Sequence, residues 1–182
     1  MFERSDQTLI EKAKKANKSA WFALISRYEK QVYNYALRMV GNRDDALDLM
    51  QDIFISVYRN LSSFRGDSQF KTWLFRIAHF RCVEFYRKKR PTMSLDDESE
   101  MVDQDQRNLP CASSEISSQQ NHLAKAMQCL SVNQRVVIEL KFFHQYTFEE
   151  IGKQIGASTN TVKSRLYAAL AKLKDLLEVE YV

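Results

Sequence analysis

Four glycines and two prolines in 182 residues leave few places for tight turns, which excludes a many-turned sandwich or barrel and favours helices. Cysteine is equally scarce. Cys82, Cys111 and Cys129 are odd in number and widely spaced, with no CxxC and no clustered histidine, so neither a disulfide framework nor a zinc site is expected. The three thiols are read as reduced and packed like small apolar groups. No run approaches the roughly 20 apolar residues of a membrane helix, and Met1-Phe2-Glu3-Arg4-Ser5-Asp6 has no apolar signal-peptide core. A soluble, cytoplasmic chain without membrane insertion is the expectation.

What is present is 45% apolar and 27% charged residues, the balance of a globular chain with room for one medium domain or two small ones. The net charge of +4 conceals a contrast: residues 91–121 hold seven acids and one base, which leaves +10 on the rest. A basic body with an acidic strap points to a polyanionic partner.

Apolar residues recur at helical spacing from Leu9 to Val40, first Leu9, Ile10 and Ala13, then a longer series from Trp21 and Phe22 to Met39. Asn17 or Ser19 caps the second of these helices, and Gly41-Asn42 ends it. A third helix carries Ala46, Leu49, Met50, Ile53, Phe54, Val57, Tyr58 and Leu61, with Asp44 and Asp45 at its positive end. After a polar loop, Ser68 is expected to cap a helix from Phe70 to about Lys89, which Pro91 prevents from continuing. Residues 91–121 lack apolar periodicity and are rich in Ser, Asp, Glu and Gln, the composition of a flexible linker. The organisation expected is therefore all-α: one helical domain over 1–90, an acidic linker over 91–121, and a second helical domain over 122–182.

Within the second domain Ser131 caps a helix, and Thr147-Phe148-Glu149-Glu150 forms a capping box. Gly156-Ala157-Ser158 then joins a short helix to an amphipathic one, the pattern of a helix-turn-helix. Gly152 allows the close approach such a turn needs. With Val162, Leu166 and Ala169 inward, Asn160, Ser164, Tyr167 and Ala168 face out, flanked by Lys163 and Arg165. Asn and Ser bond base edges, whereas Lys and Arg neutralise phosphates. Adjacent Glu149 and Glu150 diverge by about 100° on a helix and are read as capping residues, not a catalytic pair.

Residues 64–90 hold eight Lys or Arg against two acids, interleaved with seven aromatics. Charge that tracks a backbone and rings that stack on or pocket unpaired bases suit single-stranded nucleic acid. Phe70, Trp73, Leu74 and Ile77 form one inward stripe that meets Arg81, Glu84 and Lys88 further on. The expectation is a helix that leaves the core past Ile77 to lie along a duplex. His79, with no second histidine nearby in sequence, is a surface or packing residue.

These motifs carry a family resemblance. Asp48-Leu49-Met50-Gln51-Asp52-Ile53-Phe54, then Phe64-Arg65-Gly66-Asp67-Ser68-Gln69-Phe70-Lys71-Thr72-Trp73-Leu74-Phe75-Arg76-Ile77-Ala78 and the basic run to Arg90, resemble the promoter-melting domain of an extracytoplasmic-function, or group IV, RNA polymerase sigma factor. Glu150-Ile151-Gly152 and Thr161-Val162-Lys163-Ser164-Arg165-Leu166 resemble that family's promoter-binding domain. The resemblance implies that Asp48, Gln51, Asp52 and Phe54 dock on the clamp helices of core RNA polymerase. It implies that Phe64, Arg65, Gly66, Asp67 and Ser68, with Lys71, Arg76, Phe80, Arg87, Lys88, Lys89 and Arg90, capture and melt the minus-ten element. Ser158, Asn160, Thr161, Lys163, Ser164, Arg165 and Tyr167 would read the minus-thirty-five element in duplex DNA. An anti-sigma factor is a further implied partner; no cofactor, small-molecule substrate or covalent step is implied.

Two promoter elements about two helical turns apart lie roughly 70 Å from each other, and 31 extended residues reach about 100 Å, so one chain can hold both. The strap either threads polymerase channels as a polyanion mimic or serves as a solvated tether. Phe80, Glu84 and Ala168 depart from the family's common Asn, Asp and Arg. A dimeric helix-turn-helix regulator that never melts DNA remains the rival; an enzyme lacks any metal cluster, phosphate loop or nucleophile and base pair.

Overall fold

The computed structural model describes residues 5–89 and 120–178, and all regular elements among them are helical. The N-terminal group comprises α1 (Asp6–Lys14), α2 (Lys18–Val40), α3 (Arg43–Asn60), a 3-10 turn (Leu61–Ser63) and α4 (Phe70–Lys89). The C-terminal group comprises α5 (Gln120–Gln128), α6 (Val132–Ile138), a π-helical turn (Glu139–Phe143), α7 (Phe148–Ile155) and α8 (Thr159–Glu178). Helix α5 starts two residues ahead of the expected His122. Arg90 and most of the acidic strap lie outside the described residues.

Local chemistry sets most helix ends. Asn17 Oδ1 accepts from the Ala20 amide at 2.9 Å and starts α2, and Asn42 Oδ1 accepts from the Asp45 amide at 2.8 Å and starts α3. Gly41 closes α2 at φ 82°, a left-handed conformation that side chains disfavour. Ser131 with Gln134 and Thr147 with Glu150 form reciprocal capping boxes. Those amide bonds hold the Glu150 carboxyl below its ordinary range. One cap differs from expectation. The Trp73 amide bonds the Gln69 carbonyl, so Gln69 is the N-cap of α4, while the Ser68 hydroxyl merely reaches that same carbonyl at 3.4 Å.

Leu24, Val32, Tyr35, Met39, Leu49, Ile53, Leu74 and Phe75 fill the centre of the N-terminal group. Each large apolar side chain removed from water there stabilises the fold by about 1.5–3 kcal/mol. Val136, Val137, Leu140, Ile151, Val162, Leu166 and Ala169 do the same in the C-terminal group. The two groups touch, and this corrects the expected course of α4. Ala78, His79 and Cys82 are buried well past Ile77, because the C-terminal group covers a second face of α4. Burial lowers the pKa of His79 to about 4 and raises that of Cys82 to about 12, leaving both neutral at pH 7.

Candidate nucleic-acid interface

The helix-turn-helix is set by Gly152 and Gly156. A Cβ on Gly152 would stand 2.6 Å from the Ala157 carbonyl oxygen, closer than the turn tolerates, and Gly156 takes φ 71°. The Ser158 hydroxyl accepts from the Thr161 amide at 3.1 Å and starts α8. Val162, Leu166 and Ala169 are buried, while Asn160, Lys163, Ser164, Tyr167 and Ala168 are exposed, Tyr167 at 63%. Asn160, Ser164 and Tyr167 recur at i, i+4 and i+7 and so share one outward stripe.

Three expected members of this surface are used differently. The Ser158 and Thr161 hydroxyls bond each other at 2.8 Å within the cap. Arg165 is half-buried, and its charge adds to the burial that keeps the His79 imidazole of α4 neutral.

Around α4, Arg76, Phe80 and Arg87 lie on one exposed face, spaced by four and seven residues. Val83, 41% exposed between Phe80 and Arg87, continues the same face and was not anticipated. Lys71 lies on the far side of the wheel. Lys88 lies 3.7 Å from Glu84, which also pairs with Arg81 at 2.5 Å, and Lys89 pairs with Asp45 at 2.5 Å. Asn42 and Lys89 together hold the Asp45 carboxyl below its ordinary range. Lys88 and Lys89 are thus already engaged. In the loop before α4, Arg65, Gly66, Asp67 and Ser68 are exposed, with Gly66 at φ 85°. Phe64 is half-buried in an aromatic cluster, its ring centroid 5.6 Å from Phe70 and 5.2 Å from Trp73. It anchors the loop more than it offers a free stacking face.

A second surface lies between α2 and α3. Trp21, Ile25, Leu47, Asp48, Gln51, Phe54, Ile55, Tyr58 and Arg59 line an open groove of about 550 Å³. Asp48, Gln51 and Phe54 meet there, whereas exposed Asp52 does not line it. The apolar lining was not anticipated because Trp21 and Tyr58 were grouped with the apolar periodicity of α2 and α3, yet Tyr58 is 52% exposed. Leu47, Gln51 and Ile55 at four-residue intervals marked a second face of α3.

Comparison with known proteins matches these surfaces to a family. The Sigma-70 region 2 model matches residues 24–92, from α2 through α4, and the Sigma-70 region 4 model matches residues 120–173. The extracytoplasmic-function sigma factor SigW of Bacillus subtilis is 31% identical over 181 residues, covering 92% of this chain and 94% of that one. The sigma-E factor of Escherichia coli K12 is 31% identical over 176 residues, covering 91% and 90%. The chain belongs to the extracytoplasmic-function sigma factors. Among solved structures, the complex of sigma factor RpoE with the anti-sigma factor NepR from Bartonella quintana matches with a TM-score of 0.65 at 24% identity, over 85% of this chain and 94% of that one. CnrH in complex with the cytosolic domain of CnrY matches with a TM-score of 0.66 at 24% identity, over 96% and 97%. Both support the fold. The helix-turn-helix of this sigma factor falls inside region 4, and the α4 face and, Trp21 apart, the α2–α3 groove fall inside region 2. Among the described residues no group of His, Cys, Asp and Glu could hold a metal, and no helix is long and apolar enough to cross a membrane.

Proposed function

We propose that this sigma factor reads a minus-thirty-five element with the Asn160, Ser164 and Tyr167 stripe of α8, flanked by the phosphate-neutralising Lys163. The loop from Phe64 to Ser68 and the Arg76, Phe80 and Arg87 face of α4 capture and melt the minus-ten element. Extruding a base costs a few kcal/mol of unstacking, which pocket contacts and the basic face offset. Core RNA polymerase docks in the α2–α3 groove, where Asp48, Gln51 and Phe54 give a polar rim around an apolar floor. The protein confers specificity on the chemistry of polymerase and catalyses no covalent step itself. It acts in the cytoplasm as two domains, 1–90 and 122–182, tethered by 91–121. An anti-sigma factor is the restraining partner, by analogy with the complexes of its structural neighbours.

The observation that carries this reading is the outward stripe of α8, because base-bonding side chains stand exposed on the helix that follows the tight turn. Run-off transcription with purified core polymerase on a genomic promoter library tests it. Promoter-specific transcripts that depend on the chain are expected. Binding to symmetric half-sites without polymerase, and no dependent transcript, would instead establish a duplex-binding regulator.

A further inference from the structure

Helix α1 precedes the residues that match Sigma-70 region 2, yet both of its ends reach the aromatic cluster that anchors the loop from Phe64 to Ser68. At its start, Asp6 accepts from the Arg27 guanidinium and from the Tyr28 hydroxyl. The Tyr28 ring then meets Phe70 edge-on, with centroids 5.4 Å apart, and Phe70 meets Phe64 and Trp73. At its end, the Lys14 ammonium donates to the Phe64 carbonyl at 2.5 Å and lies 5.9 Å from the centre of the Phe64 ring. Leu9, Ile10 and Ala13 are buried between these ends and seat the helix on α2, which fixes its last turn beside the loop.

A lysine in a last turn ordinarily serves the terminal carbonyls of its own helix. Lys14 instead reaches a carbonyl 50 residues away. Unlike Lys88 and Lys89, it pairs with no carboxylate among the described residues. Among those residues its bond is also the one that ties the backbone of residues 64–68 to another helix.

A single bond at that carbonyl has leverage. The peptide group is planar and trans, so holding the Phe64 C=O also holds the Arg65 N–H, which points the opposite way. Arg65, Gly66, Asp67 and Ser68 are exposed, and nothing lies within 4 Å of a Cβ on Gly66. The direction in which this open turn leaves the cluster is therefore set at its first peptide plane. A binding constellation keeps its geometry to about 0.5 Å only when supporting contacts hold it.

We propose that Lys14 is a positioning residue for minus-ten base capture: by holding the Phe64 carbonyl it sets the geometry in which residues 65–68 receive an extruded base. The inference rests on the reading of that loop given above.

The test uses the full chain with core polymerase and compares output from promoters that differ at single minus-ten positions. Lys14→Met keeps the aliphatic arm and deletes the donor. Discrimination among the minus-ten variants should fall about fivefold, the weight of one hydrogen bond. Preference at the minus-thirty-five element and the dependence on salt should not change. Lys14→Arg restores a donor and should return discrimination toward wild type. Lys12→Met, at another exposed lysine in the last turn of α1, should match wild type. Asp67→Ala probes the loop itself. Wild-type discrimination in Lys14→Met beside an altered preference in Asp67→Ala overturns the positioning role and leaves the loop reading standing. Unaltered preference in both sinks the loop reading and the role of Lys14 with it. A loss spread evenly over all minus-ten sequences, with the salt slope flattened by about 1, makes Lys14 a phosphate contact and overturns the proposal. A loss that Lys14→Arg does not restore, accompanied by a lower urea midpoint, makes its role merely structural and overturns it as well.

Discussion

The α carbon of Gly152 faces the Ala157 carbonyl so closely that a Cβ there would lie 2.6 Å from the oxygen. That oxygen belongs to the backbone of the turn, and the turn is fixed on its other side by the Ser158 cap of α8. Gly152→Ala should therefore push the two helices apart and destabilise the C-terminal domain by about 1–3 kcal/mol, the usual cost of overpacking. Urea unfolding followed by far-ultraviolet dichroism checks this. Gly66→Ala is the contrasting case, since nothing lies within 4 Å of its Cβ position and only its positive φ opposes the change.

Polymerase docking should discriminate between residues that line the α2–α3 groove and those beside it. Tyr58 is large, aromatic and half-exposed, and its ring lies 5.1 Å from that of Trp21. Tyr58→Ala should weaken binding to core polymerase by about 2 kcal/mol or more, as truncation of an aromatic anchor does. Asp48→Lys should weaken it more than Asp52→Lys, because Asp48 lines the groove. A fluorescence titration with core polymerase measures all three; equal losses at Asp48 and Asp52 would argue against the groove as the docking face.

Much of this was legible because it is local. Asn17, Ser131, Thr147 and Ser158 each bond an amide three residues on, so type and spacing alone identify the helix start, whereas Asn42, expected to end α2, starts α3. The outward stripe of α8 follows equally from its apolar period. Ser68 failed by one position, since Gln69 supplies the first helical carbonyl. The Arg38–Glu139 ion pair was illegible because 101 residues separate the two and nothing local marks either as a partner. Packing of the C-terminal group on α4 likewise explains the burial of His79 and Cys82. A single-helix wheel records one buried face, and α4 has two.

His79 should make stability fall on mild acidification. Its folded pKa, about 4, lies below the ordinary 6.5, chiefly through burial and then through Arg165, so the unfolded chain binds a proton that the folded one refuses. The contribution is fully present above pH 6.5 and is lost as pH falls toward 4. At about 1.4 kcal/mol per pH unit, roughly 2 kcal/mol should be gone by pH 5, before most carboxylates titrate. Urea midpoints at pH 7.5 and 5.0 measure this, with His79→Met expected to show a smaller difference; an identical difference would assign the effect elsewhere.

Base readout and phosphate contact should separate on α8 and α4. Ser164→Ala and Tyr167→Ala remove groups from the outward stripe, so they should change which minus-thirty-five sequences are preferred, by about 1–3 kcal/mol where a base contact is lost, with affinity for core polymerase intact. Arg87→Ala removes a cation from the exposed face of α4. It should weaken promoter binding across sequences alike and flatten the dependence of log affinity on log salt by about 1. Binding measured at several salt concentrations on a panel of promoter variants distinguishes the two outcomes. Lys89→Ala is the control, since Lys89 is paired with Asp45. A salt slope that falls as much for Lys89 as for Arg87 would mean that the phosphate path crosses the start of α3 and does not follow the Arg76, Phe80 and Arg87 face.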